Sequence, residues 1–165
     1  MKENNIAYID GANLHLGTNS ANFELDYKKF RIWLTDKFHV TDVYIFLGKI
    51  PKYNKLYSYL QNCGFKIIFK EVVYDRDGKA KGNCDADLVL KSVQDFYNKK
   101  YDKMVLVSSD GDYASLVSFV QSENRFAGLI SPYNKDKCSI LLKRTNVKIF
   151  YIEDQINDLK KDGSL

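Results

Sequence analysis

Four aspartates, Asp10, Asp85, Asp110 and Asp112, lie where three separate segments of this 165-residue chain could bring carboxylates together. Two of the segments are strand-like apolar runs that end in acid: NNIAYIDGAN reaches Asp10, and DKMVLVSSDGD reaches Asp110 and Asp112. The third, KGNCDADLVLKSV, puts Asp85 and Asp87 at the start of a helical pattern. Carboxylates crowded into one crevice repel one another unless a cation lies between them. An all-oxygen donor set favours magnesium or manganese over zinc. Metal held in this way suits phosphodiester hydrolysis, because it acidifies a bound water and offsets charge on the phosphate and the leaving oxygen. Asp10, Asp85 and Asp110 would hold one or two ions, and Asp112 would hold a second ion or orient the attacking water. Attack by water leaves a 5′ phosphate and a 3′ hydroxyl.

Helix capping is the competing role for these acids. Asp85, Asp110 and Asp112 each precede or open a helical pattern, where a carboxylate satisfies free backbone N–H groups. Taken singly, capping is the commoner role. The combination with Asp10, which closes an apolar strand, favours the metal reading. Asn13, three residues after Asp10, could orient that acid or a water, and Ser108 and Ser109 could bond a carboxylate or phosphate.

The elements that must position these residues alternate. Strand-like runs fall at Ile6 to Asp10, Val43 to Leu47, Lys66 to Val73, Met104 to Ser108, Phe126 to Ile130 and Val147 to Ile152. Several are continuously apolar, as expected of a parallel sheet covered on both faces. Leu25, Phe30, Trp33, Leu34 and Phe38 form one helical stripe, and Tyr53, Leu56, Tyr57 and Leu60 another. Further helices are expected near Cys84 to Asn98, Asp112 to Ser122 and Asp136 to Arg144, and YDRDGKAKGN is expected as a polar loop turning at Asp77-Gly78. The alternation predicts an α/β fold with a mainly parallel sheet and right-handed crossovers. Strand order 3-2-1-4-5 would make the Asp10 and Asp110 strands neighbours at the reversal point, where such sheets bind ligands. In the helix after Cys84, Ala86, Val89, Leu90, Val93, Phe96 and Tyr97 define the expected buried face. Asp85 lies about 85° from its centre and Asp87 about 115° away on the other flank, so Asp85 is preferred as ligand and Asp87 is the reserve.

Composition sets the outer bounds. With 45% apolar residues the chain can build one core, and we expect one domain over residues 1–155 with a C-terminal tail at 156–165, read as a last helix with a frayed end. Cys63, Cys84 and Cys138 are odd in number and contain no C-x-x-C pair, which argues against a disulfide framework or structural zinc. No run reaches membrane-spanning length, and the start lacks an export-type apolar stretch, so a soluble cytoplasmic protein is expected. Neither G-x-G-x-x-G nor a P-loop is present, which counts against dinucleotide and NTP chemistry. A Cys84–His15 nucleophilic pair has no supporting signature.

An acidic pocket repels a polyanion, so cations must compensate. Lys49, Lys52 and Lys55 follow the second strand, Lys79 and Lys81 precede the acidic helix, and Lys135, Lys137, Lys143 and Arg144 follow the fifth strand. The net charge of +4 would not alone identify a nucleic-acid binder. Lys52 and Lys81 are the best candidates for phosphate contact, with Tyr53 and Tyr133 placed to stack on unpaired bases.

Together these segments resemble the NYN family of PIN-like nucleases, particularly its bacterial LabA-like branch. The resemblance rests on YIDGANL, KGNCDADLVL and LVSSDGDYASLV in that order, followed by ISPYNKDKCSILLK and FYIEDQ. It implies a PIN-like fold, a magnesium- or manganese-dependent acidic site and RNA as substrate, with an endonuclease favoured over an exonuclease. By position it places Asp10, Asp85, Asp110 and Asp112 on the acidic positions and Asn13 on the polar one. The chain departs at Thr145-Asn146, where family members often carry an alanine-aspartate pair. A non-catalytic RNA-binding or regulatory module, or a metal-dependent phosphatase, would use the same acids. A homodimer and an inhibitory or regulatory protein partner are compatible with the sequence.

Overall fold

Continuous apolar runs become the middle of the sheet in the computed structural model, which describes residues 2–163. The strands are β1 (Asn5–Asp10), β2 (Val40–Lys49), β3 (Lys66–Glu71), a short ribbon of β4 (Val73–Tyr74) and β5 (Ala80–Lys81), β6 (Met104–Val107), β7 (Phe126–Ser131) and β8 (Ile149–Tyr151). The main sheet has the order β3-β2-β1-β6-β7-β8 with every pairing parallel. Numbered by the six expected runs, this is 3-2-1-4-5-6. The sheet order therefore matches the sequence reading and extends it by one strand. The reversal falls between β1 and β6, where Ile9 pairs with Val107.

Side chains alternate across a strand, so β1 feeds two cores. Ala7 and Ile9 join the core beneath α1 (Gly11–Ser20), α2 (Tyr27–Phe38) and α3 (Asn54–Asn62). Ile6 and Tyr8 join the core beneath α4 (Asp85–Tyr97), α5 (Ala114–Ser122) and the short α6 (Ile140–Lys143). Asp10 continues the even-numbered side and so points toward α4 and α5.

Four local features add to or depart from the sequence reading. Residues 11–20, to which the sequence reading assigns no element, form α1, because Asp10 caps the helix by accepting from the Asn13 N–H at 3.1 Å. Gly11 is required there: a Cβ would meet the Phe46 carbonyl oxygen at 2.7 Å, so only glycine lets the helix start against β2. The expected polar loop holds the β4–β5 ribbon, since the Asp75 side chain accepts from the N–H groups of Asp77 and Lys79 and closes its turn. In the second stripe only Tyr57 and Leu60 are buried, whereas Tyr53 and Leu56 face solvent. The expected last helix of the tail forms as α7 (Ile156–Leu159), but it packs on the body: Leu159 is buried, and Lys161 N–H donates to the Glu24 carbonyl.

The largest departure concerns α4. Its buried residues are Leu88, Ser92, Asp95 and Phe96; of the expected row Phe96 is buried, Val89 and Val93 pack half-buried against the second core, and Ala86, Leu90 and Tyr97 are exposed. A buried aspartate defeats any reading based on hydrophobic period. The Tyr8 phenol donates to Asp95 at 2.7 Å, Lys91 pairs with the same carboxylate at 2.9 Å, and the Tyr101 phenol donates to the Ser92 carbonyl at 3.1 Å. These partners make the polar row tolerable inside. Burial and the adjacent Asp95 carboxylate push the Tyr8 phenol well above its ordinary pKa, so it remains a donor. Tyr8→Phe should leave part of that carboxylate unsatisfied and lower unfolding free energy by about 1–3 kcal/mol. Urea denaturation checks this, and an unchanged midpoint would contradict it.

Candidate metal centre

Parallel pairing of β1 with β6 brings their carboxyl ends together, and α4 arrives from the same side of the sheet. One carboxylate oxygen each from Asp10, Asp85 and Asp110 lies within 4.8 Å of the other two. All three side chains are partly buried. No lysine or arginine forms an ion pair with any of them among the described residues. Three acids with only neutral donors around them leave negative charge that a divalent cation would balance. The donor set contains oxygen alone, which suits magnesium or manganese better than zinc.

Capping and clustering coexist here. Asp10 caps α1, and Asp110 caps the 3-10 turn Gly111–Tyr113 by accepting from the Asp112 N–H at 2.9 Å. Asn83, rather than an acid, accepts from the Asp85 N–H at 2.8 Å. The positive ends of these backbone segments partly offset the crowded negative charge. Even so, burial raises the Asp10 carboxyl above its ordinary value, and the Asp85 and Asp110 carboxylates add to the rise; the Asn13 N–H and the Tyr113 phenol oppose it.

Tyr113 is the site residue that sequence reasoning missed. It is 1% exposed, and its phenol lies 2.7 Å from Asp85 Oδ1 and 3.3 Å from Asp10 Oδ2. Burial, helped by Asp10, pushes its pKa far above the usual phenol value, so it acts as a fixed donor bridging two acids. In the expected helix Asp112 to Ser122 it falls at helical spacing with Leu116, Val117 and Val120, so it reads as one more apolar-face residue. Its place directly after Asp112 was the available signal.

The remaining candidates divide. Asn13 Oδ1 accepts from both the backbone N–H and the hydroxyl of Ser109, each at 2.9 Å, so this pair ties α1 to the segment after β6. Ser108 Oγ lies 3.4 Å from Asp10 Oδ2 and accepts from the Asp110 N–H. Asp112 stands outside the three-carboxylate group, exposed beside Asp85 on the rim of a neighbouring groove. Asp87 is also outside it and pairs with Lys70 at 3.4 Å. Lys52 is exposed, with its ammonium 5.0 Å from the Tyr53 ring centre, and Lys81 is exposed on β5. Burial pushes the Cys84 thiol up to about 11, and His15 contacts Asn19, so no activated nucleophilic pair forms.

The family model of the NYN domain matches residues 6–152. This chain belongs to the NYN domain family. A solved structure of a protein of unknown function from Vibrio parahaemolyticus RIMD 2210633 superposes with a TM-score of 0.79 at 24% identity, covering 97% of each chain. No curated protein matches the sequence. The six-stranded parallel sheet between helical layers is thus the PIN-like α/β fold, and nuclease-like chemistry is what the NYN family suggests. Among the described residues of this NYN domain no helix is long and apolar enough to cross a membrane.

The raised Asp10 pKa has a consequence for stability. Its folded form holds the proton more tightly than its unfolded form, so stability falls as pH rises from the ordinary carboxylate range through the raised value. Ionised Asp10 is therefore a cost at neutral pH when no cation is present. Asp10→Asn retains an oxygen for the cap and removes that charge. It should raise the Tm of metal-free protein at pH 7, and the gain should shrink as pH falls through the raised value and vanish below the ordinary carboxylate pKa of about 4. Thermal scans across pH check this; a lower Tm for the variant at pH 7 would contradict it.

Proposed function

We propose that this NYN domain is a magnesium- or manganese-dependent ribonuclease that hydrolyses phosphodiester bonds within RNA strands. The observation that carries this reading is the convergence of Asp10, Asp85 and Asp110 without a paired cation. When bound, the ion supplies an acidified water and positive charge facing the phosphate. Asp10, Asp85 and Asp110 would hold it, each from a different element. Tyr113 holds Asp85 and Asp10 in orientation, as outer-shell donors do at carboxylate metal sites. Asn13 and Ser109 keep the Asp10 and Asp110 segments in register. Exposed Asp112 would orient the attacking water, and Lys52 and Lys81 are the candidates to meet flanking phosphates. The family suggests RNA as the polymer, and attack by water leaves a 5′ phosphate. Three cysteines without a disulfide fit a cytoplasmic location.

End-labelled RNA incubated with purified protein in manganese, magnesium or chelator tests this directly. The wild type should cut with either metal and stop with chelator. Asp110→Asn should lose more than about 100-fold of the rate while keeping its fold, since outer-shell changes alone cost 10–100-fold. Cleavage that persists in chelator, or in Asp110→Asn, would remove the metal from the account. Tyr113→Phe should fall inside that smaller range, about 10–100-fold in rate or manganese affinity. Full activity at unchanged manganese affinity would show that the phenol positions nothing.

A further inference from the structure

The outer flank of α4, where half-buried Val89 and Val93 grade into exposed Ala86 and Leu90, is the feature that the proposed chemistry has not used. Ala86, Val89, Leu90 and Val93 line a groove of about 440 Å³ whose far wall is the Gly111–Tyr113 turn. Leu90 is 57% exposed, an aliphatic side chain left in water while its helix buries an aspartate. Almost the whole wall is apolar, and its polar members are Asp85, Asp112 and Tyr113. The groove contains no lysine or arginine, so it is not built for phosphate. Asp85 and Tyr113 belong at once to the carboxylate centre and to this wall. A phosphodiester held at the carboxylates therefore carries a covalently attached nucleoside into or past the groove. The volume lies within the range of small-molecule pockets, about 300–1,000 Å³.

We propose that this groove receives one unpaired nucleobase of the RNA, the base flanking the phosphodiester held at the carboxylates. The inference rests on the RNA-cleaving reading of the same site. Burial against aliphatic surface is non-directional and open to the face of any base, so this subsite discriminates little among the four. The Tyr113 hydroxyl is already committed to the acids and does not read a base edge. The groove thus selects for a base free of its partner and leaves sequence preference to contacts elsewhere.

The test uses a short fluorescent single-stranded RNA and a set in which each residue in turn is abasic. Binding is read by anisotropy in calcium with wild type, Leu90→Asp and Leu90→Trp, and fold is checked by circular dichroism. One abasic position should weaken wild-type binding roughly tenfold, in line with about 50–60 Å² of apolar surface returned to water. Leu90→Asp should weaken intact RNA similarly and add little to the penalty at that position. Leu90→Trp, which enlarges the apolar surface, should tighten intact RNA. Absence of binding, no abasic penalty at any position, or a penalty undiminished in Leu90→Asp would overturn the subsite. Wild type that sediments as a dimer, with Leu90→Asp monomeric, would also overturn it and assign the face to a second copy. Cleavage is measured separately in manganese. The expected binding pattern without cleavage would sink the nuclease reading and leave the subsite standing; cleavage without an abasic effect would do the reverse.

Discussion

Mutual repulsion among three carboxylates is the constraint on which this molecule turns. Adjacent parallel strands must end at the same edge, so β1 and β6 deliver Asp10 and Asp110 side by side. The helix α4 then adds Asp85 from above the same edge. Backbone N–H groups, one serine hydroxyl and one phenol soften the repulsion without neutralising it. A fold that keeps such an arrangement sacrifices stability where a cation would restore it.

The rest of the structure holds that edge in place. Tyr8, two residues before Asp10 on the same strand face, is fixed to Asp95 of α4, so one buried hydrogen bond links the strand and the helix that carry two of the acids. Asn13 and Ser109 link the segments after β1 and β6. Glycine follows Asp10 and Asp110 alike. At Gly111 a Cβ would press on the Ser139 side chain and come within 3.1 Å of Leu141, so a side chain there would displace the Ser139 and Leu141 side chains. These contacts carry sequence choices through local geometry into the spacing of the acids.

How much of this was legible varies with the kind of signal. Parallel strands buried on both faces write continuous apolar runs, and those six runs led to the sheet order and the reversal point. The three clustered acids stood out because two of them terminate such runs. What escaped were residues whose environment the sequence cannot display. Asp95 and Ser92 look like solvent-facing positions and Leu90 like a core position. The true assignment depends on Tyr8, Tyr101 and Lys91, which lie on other elements or one turn away. Tyr113 read as one more apolar side chain, although its hydroxyl is its functional part. Residues 11–20 contain little apolar periodicity, and only the Asp10 cap and the close approach of Gly11 to β2 explain their helix. Asp112 read as a fourth ligand because it follows Asp110 by two, but its turn carries it to the rim.

The most direct measurement is anomalous diffraction at the manganese edge from crystals grown with manganese. The account predicts a peak within coordination distance of oxygens from Asp10, Asp85 and Asp110 together. Crystals whose three carboxylates stay uncoordinated at saturating manganese, or whose ion binds elsewhere, would contradict it.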